Sequence, residues 1–81
     1  MLVKRILNFF DSDGDTLNQV GVTILDGNGE ELVVYSDAAG ENVASNLSTN
    51  NGLLEFYIDD SQVFEPQLTD YNQAYSYSIG N

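Results

Sequence analysis

Three groups of side chains in this 81-residue chain are of types, and at spacings, that chemistry uses. Asp11-Ser12-Asp13-Gly14-Asp15 sets carboxylates at alternating positions, as loops that hold hard cations such as Ca²⁺ do. Counted from Asp11, however, the sixth position is Thr16, where an EF-hand needs Gly, and the twelfth is Val22, where it needs a bidentate Glu. The expectation is a polar turn whose Asp side chain caps backbone amides, with a weak calcium site at Asp11, Asp13 and Asp15 as the alternative. Asp59-Asp60, with Glu55 and Glu65 near in sequence, have the carboxylate pairing that glycoside hydrolysis requires. An 81-residue domain has little room to enclose a sugar, so catalysis there is not expected. The third group is aromatic. Tyr57, Tyr71, Tyr75 and Tyr77, with Phe56 and Phe64, have rings that stack on sugars, anchor a protein interface or fill a core.

Other chemistry is removed by composition. The chain has neither Cys nor His, which excludes disulfides, thiolate or imidazole metal sites and any nucleophile–histidine pair. No enzymatic activity and no cofactor are expected. Thirteen acidic residues stand against two basic ones, for a net charge of −11. Phosphate backbones and anionic membrane surfaces are bound by Lys and Arg, so neither is an expected partner. The acids never run longer than two, which suits a solvated, aggregation-resistant surface. No stretch approaches the ~18 apolar residues of a membrane span. Lys4 and Arg5 precede only five residues before Asp11, one of them Asn8, so no secretory apolar region forms and synthesis in the cytoplasm is expected. Asn46-Leu47-Ser48 fits the glycosylation pattern, which is incidental without secretion.

The elements that must position these groups are strands. Val20, Val22 and Ile24 alternate with Gly21 and Thr23, the period of a half-buried strand over Val20–Leu25. Asp26-Gly27-Asn28-Gly29 is a hairpin turn in composition. Leu32–Tyr35 is a short run of strand formers. Leu54, Phe56 and Ile58 define one face of a strand, with Glu55 and Tyr57 on the other. Ala74–Ile79 alternates so that Tyr75, Tyr77 and Ile79 share a face. Pro66 makes Gln62–Leu68 an edge strand or extended loop. Residues 1–10 read as an N-terminal arm or edge strand. Turn residues recur every 8–12 positions and no helical period persists, which gives an all-β, small single-domain β-sandwich of six or seven strands over residues 1–81.

Val33-Val34-Tyr35-Ser36-Asp37-Ala38-Ala39-Gly40, then Ser45–Asn51, Gly52 and the strand Leu53–Asp60, resembles a small β module of tailed-bacteriophage virion proteins. There, a strand ending in Tyr-Ser-Asp leads through an Ala/Gly turn and a Ser/Asn loop to Asn-Gly and an aromatic strand. The resemblance spans Val20 to Asp60, about half the chain. It implies an immunoglobulin-like or prealbumin-like sandwich and a non-enzymatic virion structural role. Family members usually carry the module at the start of a long fibre. At 81 residues, this chain is expected instead to be a capsid decoration or cement protein or a small accessory protein. A tail fibre or baseplate adaptor, or a glycan- or Ca-binding β module, is the alternative. The partners implied are major capsid or tail proteins and copies of the chain itself, with a trimer expected. Leu2, Val3, Lys4 and Arg5, together with Tyr71, Tyr75 and Tyr77, are the expected interface, since both groups lie outside the resembling stretch.

Overall fold

Alternation along the first strand sets the architecture. The computed structural model describes residues 1–80; position 81 lies outside the described residues. β1 (Leu2–Asp11) turns Val3, Arg5, Leu7 and Phe9 inward, and Leu7 and Phe9 are 0% exposed. β2 (Gly21–Leu25) buries Val22 and Ile24, β3 (Leu53–Asp59) buries Leu54, Phe56 and Ile58, and β4 (Glu65–Thr69) buries Pro66 and Leu68. β5 (Tyr75–Gly80) completes the set. Each buried group follows a period of two, as pleated strands with one covered face demand.

The strands form two antiparallel sheets, β3-β1-β5 and β2-β4. Side chains from both meet in one core, joined by Leu17 and Val34 from the connections. The β-sandwich read from the sequence is thus observed, with five strands among the described residues. β1 corrects one expectation. It is neither arm nor edge but the central strand of its sheet, registering Leu2 against Asp59 and Leu7 against both Leu54 and Ile79. Burial of Leu7 and Phe9 requires neighbours on both sides, and the sequence pattern alone does not count neighbours.

Leu32–Tyr35 also departs from the strand expected there. The Leu32 amide donates to the Ile24 carbonyl on β2, whereas Tyr35 exchanges two backbone hydrogen bonds with Tyr57 on β3 (2.9 and 2.7 Å). The segment crosses from one sheet to the other, buries Val34 on the way and pairs too briefly with either to be a strand. Pro66 behaves as expected of an edge. The outward backbone groups of β2 are already bonded, the Val22 amide donating to the Leu47 carbonyl and the Ile24 carbonyl accepting the Leu32 amide, so β4 pairs through Glu65, Gln67 and Thr69. Pro66 therefore faces the open edge, where its missing N–H costs no ladder bond.

Two buried features close the loops. Asn51 and Gly52 both have positive φ (52° and 85°), and Asn50 and Leu53 exchange backbone bonds, which makes a two-residue hairpin turn. Gly52 is required twice, because a Cβ there would stand 2.9 Å from the Thr16 Cβ. Thr49 is the one buried polar side chain among the described residues, and its Oγ1 accepts the Val20 amide at 3.1 Å.

Deleting residues 1–5 strips the pairs from Leu2↔Asp59 to Arg5↔Phe56 out of a central strand. That deletion is expected to lower the melting temperature by more than about 10 °C, equivalent to roughly 2 kcal/mol in a domain of this size. Calorimetry that finds the truncated chain as stable as the full one would contradict the pairing of residues 2–5 with β3.

Candidate functional site

The three acidic residues singled out at the first turn do converge. Carboxylate oxygens of Asp11, Asp13 and Asp15 lie within 4.8 Å of one another, all near the surface. The local chain explains why. Asp11 Oδ1 accepts the amides of Asp13 and Asp15 (2.9 Å each), the Gly14 amide donates to the Asp11 carbonyl, and the Asp11 amide donates to the Asp15 carbonyl. The same turn recurs at Asp26, whose Oδ1 accepts the amides of Asn28 (2.8 Å) and Glu30 (3.0 Å). Gly14 and Gly29 occupy the matching positive-φ position (84° and 82°). Asp-x-Asp/Asn-Gly-Asp/Glu is thus a five-residue hairpin connection in which the first carboxylate replaces missing backbone partners. The sequence shows both copies, as 11–15 and 26–30, but only the shared hydrogen bonds reveal them as one device. A third Asp, at position 37, accepts the amides of Glu41 and Asn42 at 3.1 Å in a wider turn.

The second carboxylate group disperses. Glu55 pairs with Lys4 at 3.4 Å on the solvent-facing side of the sheet, and Glu65 sits on β4. Asp59 caps the following turn, accepting the Ser61 hydroxyl at 2.6 Å and the Ser61 amide at 2.9 Å. No three carboxylates other than 11, 13 and 15 converge among the described residues. The Ser61 hydroxyl, then its amide, then the N-terminal ammonium hold the Asp59 carboxyl at about 2, below its ordinary 3.8.

The expected interface residues divide. Leu2, Val3, Lys4 and Arg5 are built into β1: Lys4 is held by Glu55, and Arg5 lies half-buried on the inner face opposite Phe56. Arg5 Nε is buried with no hydrogen-bond partner among the described residues. Tyr71, Tyr75 and Tyr77, by contrast, gather at one border. Phe9 contacts the rings of Tyr75 and Tyr77 (centroids 6.5 and 5.9 Å), and Tyr71 packs edge-on against Tyr75 (6.1 Å). Tyr75 and Tyr71 are partly buried against the core, while Tyr77 is 38% and Ile79 53% exposed. Phe56 and Phe64 form a separate interior pair at 5.6 Å.

With this geometry in place, the chain was compared with known protein families, characterised proteins and solved structures. Nothing matches. The function must therefore be argued from the molecule. A depression of about 680 Å³ is open to solvent between β2, the 31–34 crossing and residues 43–48. Val33 and Val43 line it and no aromatic ring does, so it offers no stacking platform for a sugar.

Two outcomes follow from the Asp turns. Because Asp11 Oδ1 is already spent on two amides, Asp11→Ala is expected to cost about 1–2 kcal/mol with or without calcium. EDTA or millimolar Ca²⁺ should move the wild-type melting temperature by no more than a degree or two, about the resolution of calorimetry on a domain this size; a larger calcium shift would establish a metal site.

For Asp59 the folded-state value is depressed, so its contribution to stability is present above the ordinary 3.8 and is lost as pH falls toward about 2. Ser61→Ala should return the Asp59 titration toward its ordinary value and flatten the loss of melting temperature across that window. Carboxyl carbon NMR shifts would read this directly; an unchanged Asp59 titration in the variant would refute the cap.

Proposed function

We propose that this chain is a non-enzymatic structural protein of a bacteriophage virion, acting as a capsid decoration or cement protein or another small accessory protein. Synthesis in the host cytoplasm precedes assembly onto major capsid or tail proteins. The observation that carries this reading is the reciprocal backbone pairing of Tyr35 with Tyr57. It ties the Tyr-Ser-Asp end of the resembling stretch to its aromatic strand, so the two motifs behave as one unit. The turns between them are closed internally by Asp37 and by Asn51-Gly52. Rigid turns, a thin core and an aromatic border suit a building block. Tyr71, Tyr75 and Tyr77 are the proposed contact surface, and a homo-oligomer, a trimer on the resemblance, is the proposed working form.

A tail fibre or baseplate adaptor is the same proposal at another virion position. A calcium-binding module is a second reading, favoured only by the convergence of Asp11, Asp13 and Asp15. Mass spectrometry of density-purified particles from the host that encodes the chain is the deciding experiment. The chain is expected in stoichiometric amounts with capsid or tail proteins. Its absence from particles, with abundant free protein in the lysate, would reject the virion role.

A further inference from the structure

β5 is an unguarded edge. In the first sheet, Phe9 directs its N–H to Gly52 and its C=O to Leu17, and Asp11 directs its N–H to Asp15, all toward the β3 side. Strand geometry then turns Asn8 and Phe10 toward β5, where they face Ser78 and Ser76. The backbone groups of Tyr75, Tyr77 and Ile79 consequently point outward, and no described segment pairs with them. The other edges are defended. Tyr35 covers Tyr57 on β3, the outer edge of β4 carries Pro66 flanked by Glu65, and the stretch of β1 that runs past the end of β5 carries Lys4 and Arg5. β5 has neither cover, proline nor a charged side chain; no side chain from Tyr71 to Asn81 is an acid or a base in a chain of net −11. Long uncharged edges of strand-forming residues are the ones that natural β proteins normally block.

The side chains complete the picture. Tyr75, Tyr77 and Ile79 lie on the inner face with Phe9, but a two-stranded sheet covers a three-stranded one only in part. Tyr77 and Ile79 overhang the core and remain exposed.

We propose that β5 pairs antiparallel with β5 of a second copy about a two-fold axis at Tyr77, fusing two three-stranded sheets into one of six strands. The strand is complementary to itself. Aligned about Tyr77, the outward amides and carbonyls of Tyr75, Tyr77 and Ile79 meet those of Ile79, Tyr77 and Tyr75 of the other copy. Tyr–Tyr and Tyr–Ile pairs stand across the seam on the inner face, and serines face serines on the outer. A basic partner would seek the acidic faces, whereas this border is neutral, and β5 itself is a neutral strand of matching alternation. Two copies bring together twice −11, or −22 charges, so the pairing should tighten with salt. The inference rests on the tyrosine border just proposed as the contact surface but not on the virion assignment, and it replaces the trimer with a two-fold pair.

A single strand pair is smaller than a standard interface of ~1,200–2,000 Å², so association is expected only at roughly 10–100 µM protein. Sedimentation equilibrium of the full chain should show monomer–dimer exchange in that range, with the dimer favoured at high salt. Ile79→Glu, at an exposed site, should weaken it about tenfold or more by placing carboxylates across the seam, with an unchanged circular dichroism spectrum. The chain has no cysteine, so Tyr77→Cys should form a covalent dimer on mild oxidation, while Leu53→Cys, exposed on the far strand, should not. A monomer throughout, a trimer, a dimer untouched by Ile79→Glu, or equal cross-linking at Leu53→Cys would each overturn the pairing. Absence of the chain from particles would reject the virion role and leave the pairing standing.

Discussion

The structure depends on the double pairing of β1. Phe9 shows the constraint most clearly: its amide bonds Gly52, its carbonyl bonds Leu17, and its ring meets Tyr75 and Tyr77, with no exposure of its own. Among the described residues, Phe9 alone joins the first turn, the Asn-Gly hairpin and the last strand. An 81-residue domain buries only ~60% of its unfolded surface, so a single strand that contacts most of the core carries a large share of its stability. A lesion there is felt by both flanking strands.

The acidic character of the chain has a structural origin at its turns. Asp11, Asp26 and Asp37 each spend a carboxylate oxygen on backbone amides that a hairpin leaves without partners, and Asp59 does the same for Ser61. Exposed carboxylates serve this purpose well because they accept hydrogen bonds without needing burial. The convergence of three carboxylates at 11–15 is therefore a by-product of turn chemistry before it is anything else. Of the remaining acids, Glu55 and Glu65 occupy exposed positions on β3 and β4 and the others lie in the connections, where like charge discourages association between molecules. Against that background the uncharged β5 border stands apart, and it is the same border that gathers the tyrosines.

A role in assembly fits these two properties together. The molecule closes its turns at Asp11, Asp26 and Asp37 with its own side chains and lines the depression beside β2 without aromatics. It also has one border of exposed apolar rings and open backbone groups. Affinity at such a border comes from main-chain hydrogen bonds with side-chain register supplying selectivity, which suits a part that is repeated many times in a larger structure.

Periodicity and turn residues by themselves determined the β-class, the inward faces of β2 and β3, the Asp26 and Asn51-Gly52 turns and the edge status of the Pro66 strand, because each rests on contacts within a few residues. Alternation of Tyr75, Tyr77 and Ile79 also placed them on one face correctly. Tertiary structure alone decided what lay beside each strand. Leu2–Phe10 looks like an arm because Lys4 and Arg5 interrupt its apolar pattern, yet Leu2–Asn8 pair with β3 and Ile6–Asp11 with β5, Lys4 meeting Glu55 at the surface while Arg5 lies half-buried on the inner face. Leu32–Tyr35 looks like a strand because its residues favour one, yet its hydrogen bonds are split between two sheets. Pairing partners are tens of residues distant in sequence, and nothing in a strand's own residues names the strand that will lie next to it.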